Sequence, residues 1–185
     1  MKRAGAHALL LAAAAAGAAE PDVSVTRDGD LYSIHMQAQL GLAAATVHDT
    51  FARFENLPRI NPAVEQVQRR PGPADATRLY TQVRVCVAFF CTRMHQVQDI
   101  RSTAHDGSYD IDARVLPEQS DLKRGSAHWH IAPCGAGSCL DFAANLEPDF
   151  WVPPLIGPWL IQRKLKEEAR VTVRGIERVA HEDAR

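Results

Sequence analysis

The sequence predicts an α+β domain: a curved antiparallel sheet of about seven strands wrapped around one long C-terminal helix. Two observations carry this reading. Between Thr77 and Glu147, apolar and polar residues alternate through strand-length segments separated by turn residues. From about Pro153 to His181 the apolar period lengthens to that of a helix. Each element has one apolar side, so the sheet must fold around the helix for either to be buried. Such an arrangement tends to leave space between the two, which points to a container for something apolar.

Lys2 and Arg3, an apolar run from Ala8 to Ala16 and the small residues Ala16-Gly17-Ala18 form the pattern of a secretory signal peptide. Residues 1–19 are therefore expected to be removed, leaving 20–185 as one domain in the periplasm. No cysteine stands at the cleavage point, which argues against a lipid anchor. The apolar run is shorter than the roughly 20 residues of a membrane span. Losing the two charges of Lys2 and Arg3 takes the formal charge from −1 to −3. The remaining basic residues are scattered, so nothing here attracts nucleic acid. The mature chain can bury about two-thirds of its unfolded surface, enough for a stable core.

In Leu31–Leu40, Tyr32, Ile34, Met36, Ala38 and Leu40 form one face of a half-buried strand. From Ala44 to Phe54, Val47, Phe51 and Phe54 fall three and four apart, as on a short helix. Leu57-Pro58 and Asn61-Pro62 break that pattern, so two short helical pieces follow the first strand. A strand over Val64–Arg69 precedes the turn Pro71-Gly72-Pro73. Five further strands are placed at Thr77–Val87, Thr92–Thr103, Ser108–Leu116, Gly125–Pro133 and Cys139–Leu146, with Pro117–Lys123 as a loop. In the final helix, Ile161, Leu165, Ala169, Thr172 and Ile176 make one stripe, and Gly157-Pro158 marks a start or kink.

Cys86/Cys91 and Cys134/Cys139 test this layout. Four cysteines allow three pairings, and zinc is the competing reading. Successive turns of a meander alternate between the two ends of the sheet. The turns Val87–Phe90 and Gly135–Ser138 therefore lie about 30 Å apart, beyond the reach of a disulfide or a shared metal. Two local disulfides remain, consistent with export to an oxidising compartment. Placing Cys134 opposite Cys139 sets Ile131 against Phe142 and Trp129 against Ala144 on one face, with His128, His130, Asp141 and Asn145 on the other. Placing Cys86 opposite Cys91 sets Arg84 against Arg93, an unfavourable pair. It calls for a bulge, a shared anion or a neighbouring carboxylate such as Asp112.

The run Val47-x3-Phe51-x2-Phe54-x2-Leu57-Pro58-x-Ile60-Asn61-Pro62 resembles the first-helices signature of the START-like superfamily. Pro117-x2-Ser120-Asp121-Leu122, Gly125, Trp129, Gly137-Ser138 and the terminal helix are similar to it as well. The likeness is to polyketide cyclase/dehydrase and coenzyme Q-binding START proteins, over about Val23 to Ala180. It implies a helix-grip fold with a deep apolar cavity, and a lipid, quinone or isoprenoid-like ligand. An enzyme of cyclase or dehydrase type and a protein-binding scaffold with a filled core stay open as alternatives.

The apolar face consists of Val83, Val85, Met94, Tyr109, Ile111, Trp129, Ile131 and Phe142, met by Ile161 and Leu165. The pattern alone does not separate a filled core from a ligand cavity; the resemblance favours the cavity. At one end, Phe89 and Phe90 in one turn and Phe150, Trp151 and Trp159 in the last connection form an aromatic rim. That rim either closes the core or makes a cavity mouth that touches membranes. His128-x-His130 with Asp141 has the spacing of some zinc sites, but its place on the outer face reads as solvated, and no metal or cofactor is expected. Gly135-Ala136-Gly137 is a hairpin turn, since no helix opens after it, and no G-x-S-x-G is visible. Gln96, Gln98, Tyr109 and Arg114 are the side chains that register could turn inward.

Overall fold

The computed structural model describes residues 20–87, 90–149 and 158–185. Its strands are Asp22–Asp28 (β1), Leu31–Leu40 (β2), Val64–Arg70 (β3) and Thr77–Val87 (β4). They continue with Phe90–His105 (β5), Ser108–Val115 (β6), Leu122–Cys134 (β7) and Gly137–Pro148 (β8). Helices cover Ala44–Ala52 (α1), Leu57–Ile60 (α2) and Pro158–Asp183 (α3). All eight strands belong to one antiparallel sheet in the order β1-β2-β8-β7-β6-β5-β4-β3. Residues 41–63, with α1 and α2, therefore carry the chain from β2 across to the opposite edge at β3.

The sheet has one strand more than the seven expected. Val23 and Val25 alternate with polar residues over too short a stretch to stand out beside the apolar leader, yet β1 pairs along its whole length with β2. The tight turn between them uses Gly29 at φ +58°, where a side chain would be strained. Pro58 also differs from the expected helix breaker. It lies in the first turn of α2, where its missing N–H costs nothing.

The hairpin of β7 and β8 is two residues out of the expected register. Ile131 opposes Leu140, Trp129 opposes Phe142, and Cys134 opposes Gly137. The cause is a two-residue turn at Gly135-Ala136, with Gly135 at φ +56°, instead of a four-residue one. A slip of two keeps every side chain on its face, so the inward and outward sets survive. The disulfide Cys134–Cys139 spans the pair diagonally, at a Cα separation of 5.6 Å, while Cys86–Cys91 joins directly opposed residues 4.1 Å apart.

Arg84 does oppose Arg93, with no irregularity between β4 and β5. The carboxylate they share is that of Glu65, not Asp112. Arg93 Nε lies 2.8 Å and Arg84 Nε 3.6 Å from it. Glu65 reaches both because the pairing of β3 with β4 slips at this residue, and such a bulge re-aims a side chain.

Val173, Ile176, Val179 and Ala180, in the C-terminal half of α3, are buried, and α3 packs on α1, α2, β1 and β2. Ile161, Leu165 and Ala169, in its N-terminal half, are only partly buried. Gly175 permits the close approach of α3 to α2, since a Cβ there would collide with the Ile60 carbonyl oxygen. On the outer face, Asp99 accepts two hydrogen bonds from Arg78, at 2.8 and 2.9 Å. That pairing, aided by the nearby Arg101 charge, outweighs desolvation and holds the Asp99 carboxyl below its usual range.

Two predictions follow from these contacts. Gly175→Ala should lower the melting temperature: the ~1 kcal/mol gain in helix propensity is outweighed by an overpacking cost of about 1–3 kcal/mol against rigid backbone. A rise in melting temperature would show that α3 does not sit this close. Asp99→Asn should cost about 1.5–3 kcal/mol at neutral pH, as loss of a charge-assisted pair. Because the folded pKa is depressed, this difference should be complete above about pH 4. It should fade as the pH falls through the folded pKa. Melting curves of both proteins from pH 7 to 2 check this, and a constant gap would contradict it.

Candidate functional site

Between the concave face of the sheet and the N-terminal half of α3 lies a cavity of about 310 Å³. Its size is at the lower end of the roughly 300–1,000 Å³ of small-molecule sites. Most of its wall is apolar. Phe51 of α1, Trp129 of β7 and Phe142 of β8 pack in a row with their rings tilted by 45° and 37°, ring centres 5.1 and 5.0 Å apart. Val83, Met94, Val115, Leu122 and Leu165 continue the lining. Several of these inward-facing side chains are only half-buried, whereas Ile111 and Ile131 on the same face are 1% exposed. One end of the concave face is thus a packed core, and the other faces open space.

Besides the exposed pair Ser126 and Asn145 at its border, polar side chains interrupt the wall in two places. At the seam of α2 and α3, Asn61 donates to Glu168 at 2.8 Å and to Thr172 at 3.1 Å, and accepts from the Ala63 N–H at 2.8 Å. Glu168 also meets Lys164 at 2.7 Å. Burial works against the Lys164 charge, but its carboxylate neighbours outweigh that and raise its pKa. In the wall itself, Thr81 of β4 and Gln96 and Gln98 of β5 face inward, with Thr81 directly opposite Gln96. Thr81 is 2% exposed, and its hydroxyl has no partner among the described residues. An unpaired buried polar group costs about 1–3 kcal/mol.

Of the residues expected in the cavity, Val83, Met94, Trp129, Phe142 and Leu165 line it. Ile111 and Ile131 belong to the packed core beside it. Tyr109 stacks on His48 with centroids 4.3 Å apart, and Ile161 packs against the core edge. Val85 is partly buried but not in the lining. Arg114 faces outward, where it is exposed. Asn61, Thr81 and Glu168 were not singled out as cavity residues. In the sequence Asn61 stands in the Asn61-Pro62 break and the START-like signature, and nothing in its local pattern announces a partner more than a hundred positions away.

Of the rim, Phe89, Phe150 and Trp151 lie outside the described residues, as does the 1–19 leader. For Phe90 only the backbone, paired with Val87, is described. Trp159, at 61%, is an exposed large apolar side chain. On the outer face, His128 and His130 hydrogen-bond to Asp112 and Asp110, at 2.9 and 2.7 Å. Asp141 instead serves His35 and Gln37. Among the described residues, no three His, Cys, Asp or Glu side chains converge to hold a metal ion. Nor is any described helix long and apolar enough to cross a membrane.

This architecture recurs in solved structures. A STAR-related lipid transfer protein from Xanthomonas axonopodis superposes with a TM-score of 0.66 at 14% identity, covering 86% of this chain and 98% of that one. Human STARD10 gives 0.66 at 16% identity, over 89% of this chain and 70% of that one. The chain has a START-like fold. The START-like architecture also includes the Zhui aromatase/cyclase of Streptomyces sp. R1128, with a TM-score of 0.61, 13% identity and coverage of 84% and 96%. No family model and no curated protein matches the sequence.

Asn61→Ala removes three hydrogen bonds at the α2–α3 seam and should cost about 1–3 kcal/mol. Urea unfolding monitored by tryptophan fluorescence checks this, and an unchanged midpoint would show that the seam does not hold α3 in place.

Proposed function

We propose that this START-like chain binds an apolar small molecule in the sheet–helix cavity and carries it outside the cytoplasm. The observation that supports this most is the half-buried state of Trp129, Phe142, Met94 and Leu165 on a face whose other end is packed shut. Burying such side chains against a ligand is favourable by about 25 cal/mol per Å² of apolar surface. The likeness to a STAR-related lipid transfer protein supports a lipid as the ligand, with a quinone or isoprenoid as apolar alternatives.

The likeness to an aromatase/cyclase raises catalysis as the second reading. Among the described lining residues, however, Glu168 is the one ionisable side chain, and it is engaged by Lys164 and Asn61. General acid–base chemistry needs a group free to exchange a proton with the substrate. Carriage is the better fit.

Export to the periplasm is part of the proposal. Two disulfides suit an oxidising compartment, and the leader has signal-peptide character. So is brief contact of the aromatic rim with a membrane during ligand exchange, a role suited to the exposed Trp159.

Organic extraction of the natively purified protein, followed by mass spectrometry, should release a near-stoichiometric apolar compound. Ala169→Phe, which projects a ring into the cavity from α3, should remove most of that load while the protein still melts cooperatively. Equal loads in both proteins would place the ligand elsewhere, and an empty native protein would count against carriage.

A further inference from the structure

Resting on the carriage reading, we propose that the cavity selects an uncharged amphiphile: an apolar body ending in a carbonyl or hydroxyl group. Thr81, Gln96 and Gln98 hold the polar end. Directly opposed residues of an antiparallel pair have Cβ atoms about 4.5–5.5 Å apart, so Thr81 and Gln96 form one cluster, and Gln98 follows on the same face of β5. All three line the cavity. Thr81 is 2% exposed, and its Oγ1 has no partner among the described residues. A concave face covered by a helix has no packing reason to carry three polar side chains side by side, because each loses hydration there. A ligand oxygen supplies the partner that the Thr81 hydroxyl lacks among the described residues, within reach of the two glutamine amides. The glutamine amides donate to a carbonyl and accept from a hydroxyl, and the threonine hydroxyl does either.

Charge narrows the class. Among the described lining residues only Glu168 is ionisable, and Lys164 balances it. A carboxylate, phosphate or ammonium beside Thr81 would be buried without a counter-charge, which is strongly unfavourable. Size narrows it again. A cavity of about 310 Å³ suits one ring system or one chain rather than a two-chain phospholipid.

The test compares ten-carbon compounds that differ only at the end: decane, 2-decanone, 1-decanol and decanoate. Each displaces Nile red from the full chain at pH 8. The ketone and the alcohol should bind about tenfold more tightly than decane, the equivalent of one hydrogen bond. Decanoate should bind no better than decane. In Thr81→Val/Gln96→Leu the ketone-to-alkane ratio should fall toward one; Thr81→Val alone, which is nearly isosteric, should lower it if the double variant does not fold. Equal affinities for ketone and alkane in the native chain, a preference for decanoate, or a ratio that survives the substitutions would overturn the proposal and leave carriage standing. Failure of every compound to displace the dye would remove carriage and the proposal together.

Discussion

Eight strands set about 4.8 Å apart make a sheet about 34 Å wide, while a helix with its side chains is only about 10–12 Å across. One helix cannot cover a flat sheet of that width, so the sheet must curl around α3. The rest of the structure follows from that mismatch. The chain from β2 to β3 has to cross the open side of the curl, and it does so through α1 and α2. Those two short helices fill the space beside the C-terminal half of α3, helped by the close approach of Gly175 to Ile60. Beside the N-terminal half the gap persists, and that gap is the cavity.

Among the described residues, the cavity is a product of how the helices cover the sheet. Its aromatic wall comes from three separate elements, with Trp129 between Phe51 and Phe142. Its inward polar groups sit on β4, β5 and the α2–α3 seam, with the exposed Ser126 and Asn145 of β7 and β8 at its border. Pairs such as Asn61–Glu168 and Lys164–Glu168 occupy the boundary where α3 leaves the packed core, so polar bonding takes over where apolar burial ends. Among the described residues, the Thr81 hydroxyl in the wall has no such partner. A fold optimised only for stability would replace the unpaired Thr81 hydroxyl with a methyl group.

The outer face is organised by charge instead. Glu65 reconciles Arg84 with Arg93, and Asp99 is clamped by Arg78. The two disulfides staple hairpins that are already paired. Each closes a very short loop and so removes little chain entropy, less than the roughly 3 kcal/mol of a 15-residue loop. They resist opening of strand ends more than they set the fold.

Period-two alternation and one amphipathic helix determined the architecture from the sequence, because facing inward or outward on a strand is a local property. The same alternation put Trp129 and Phe142 on the concave side, even though their hairpin register was read two residues away from where the Gly135-Ala136 turn sets it. The cysteine spacing determined both disulfides, because distant turns of a meander cannot meet. Only the tertiary structure decided which inward residues face open space and which are packed. Val83 and Ile111 look alike in sequence, yet one lines the cavity and the other is sealed in the core. That distinction depends on where α3, α1 and α2 cover the sheet, a matter of contacts between residues far apart along the chain. The same is true of Glu65 and Asn61, whose partners are chosen by a bulge and a helix crossing that no local pattern encodes.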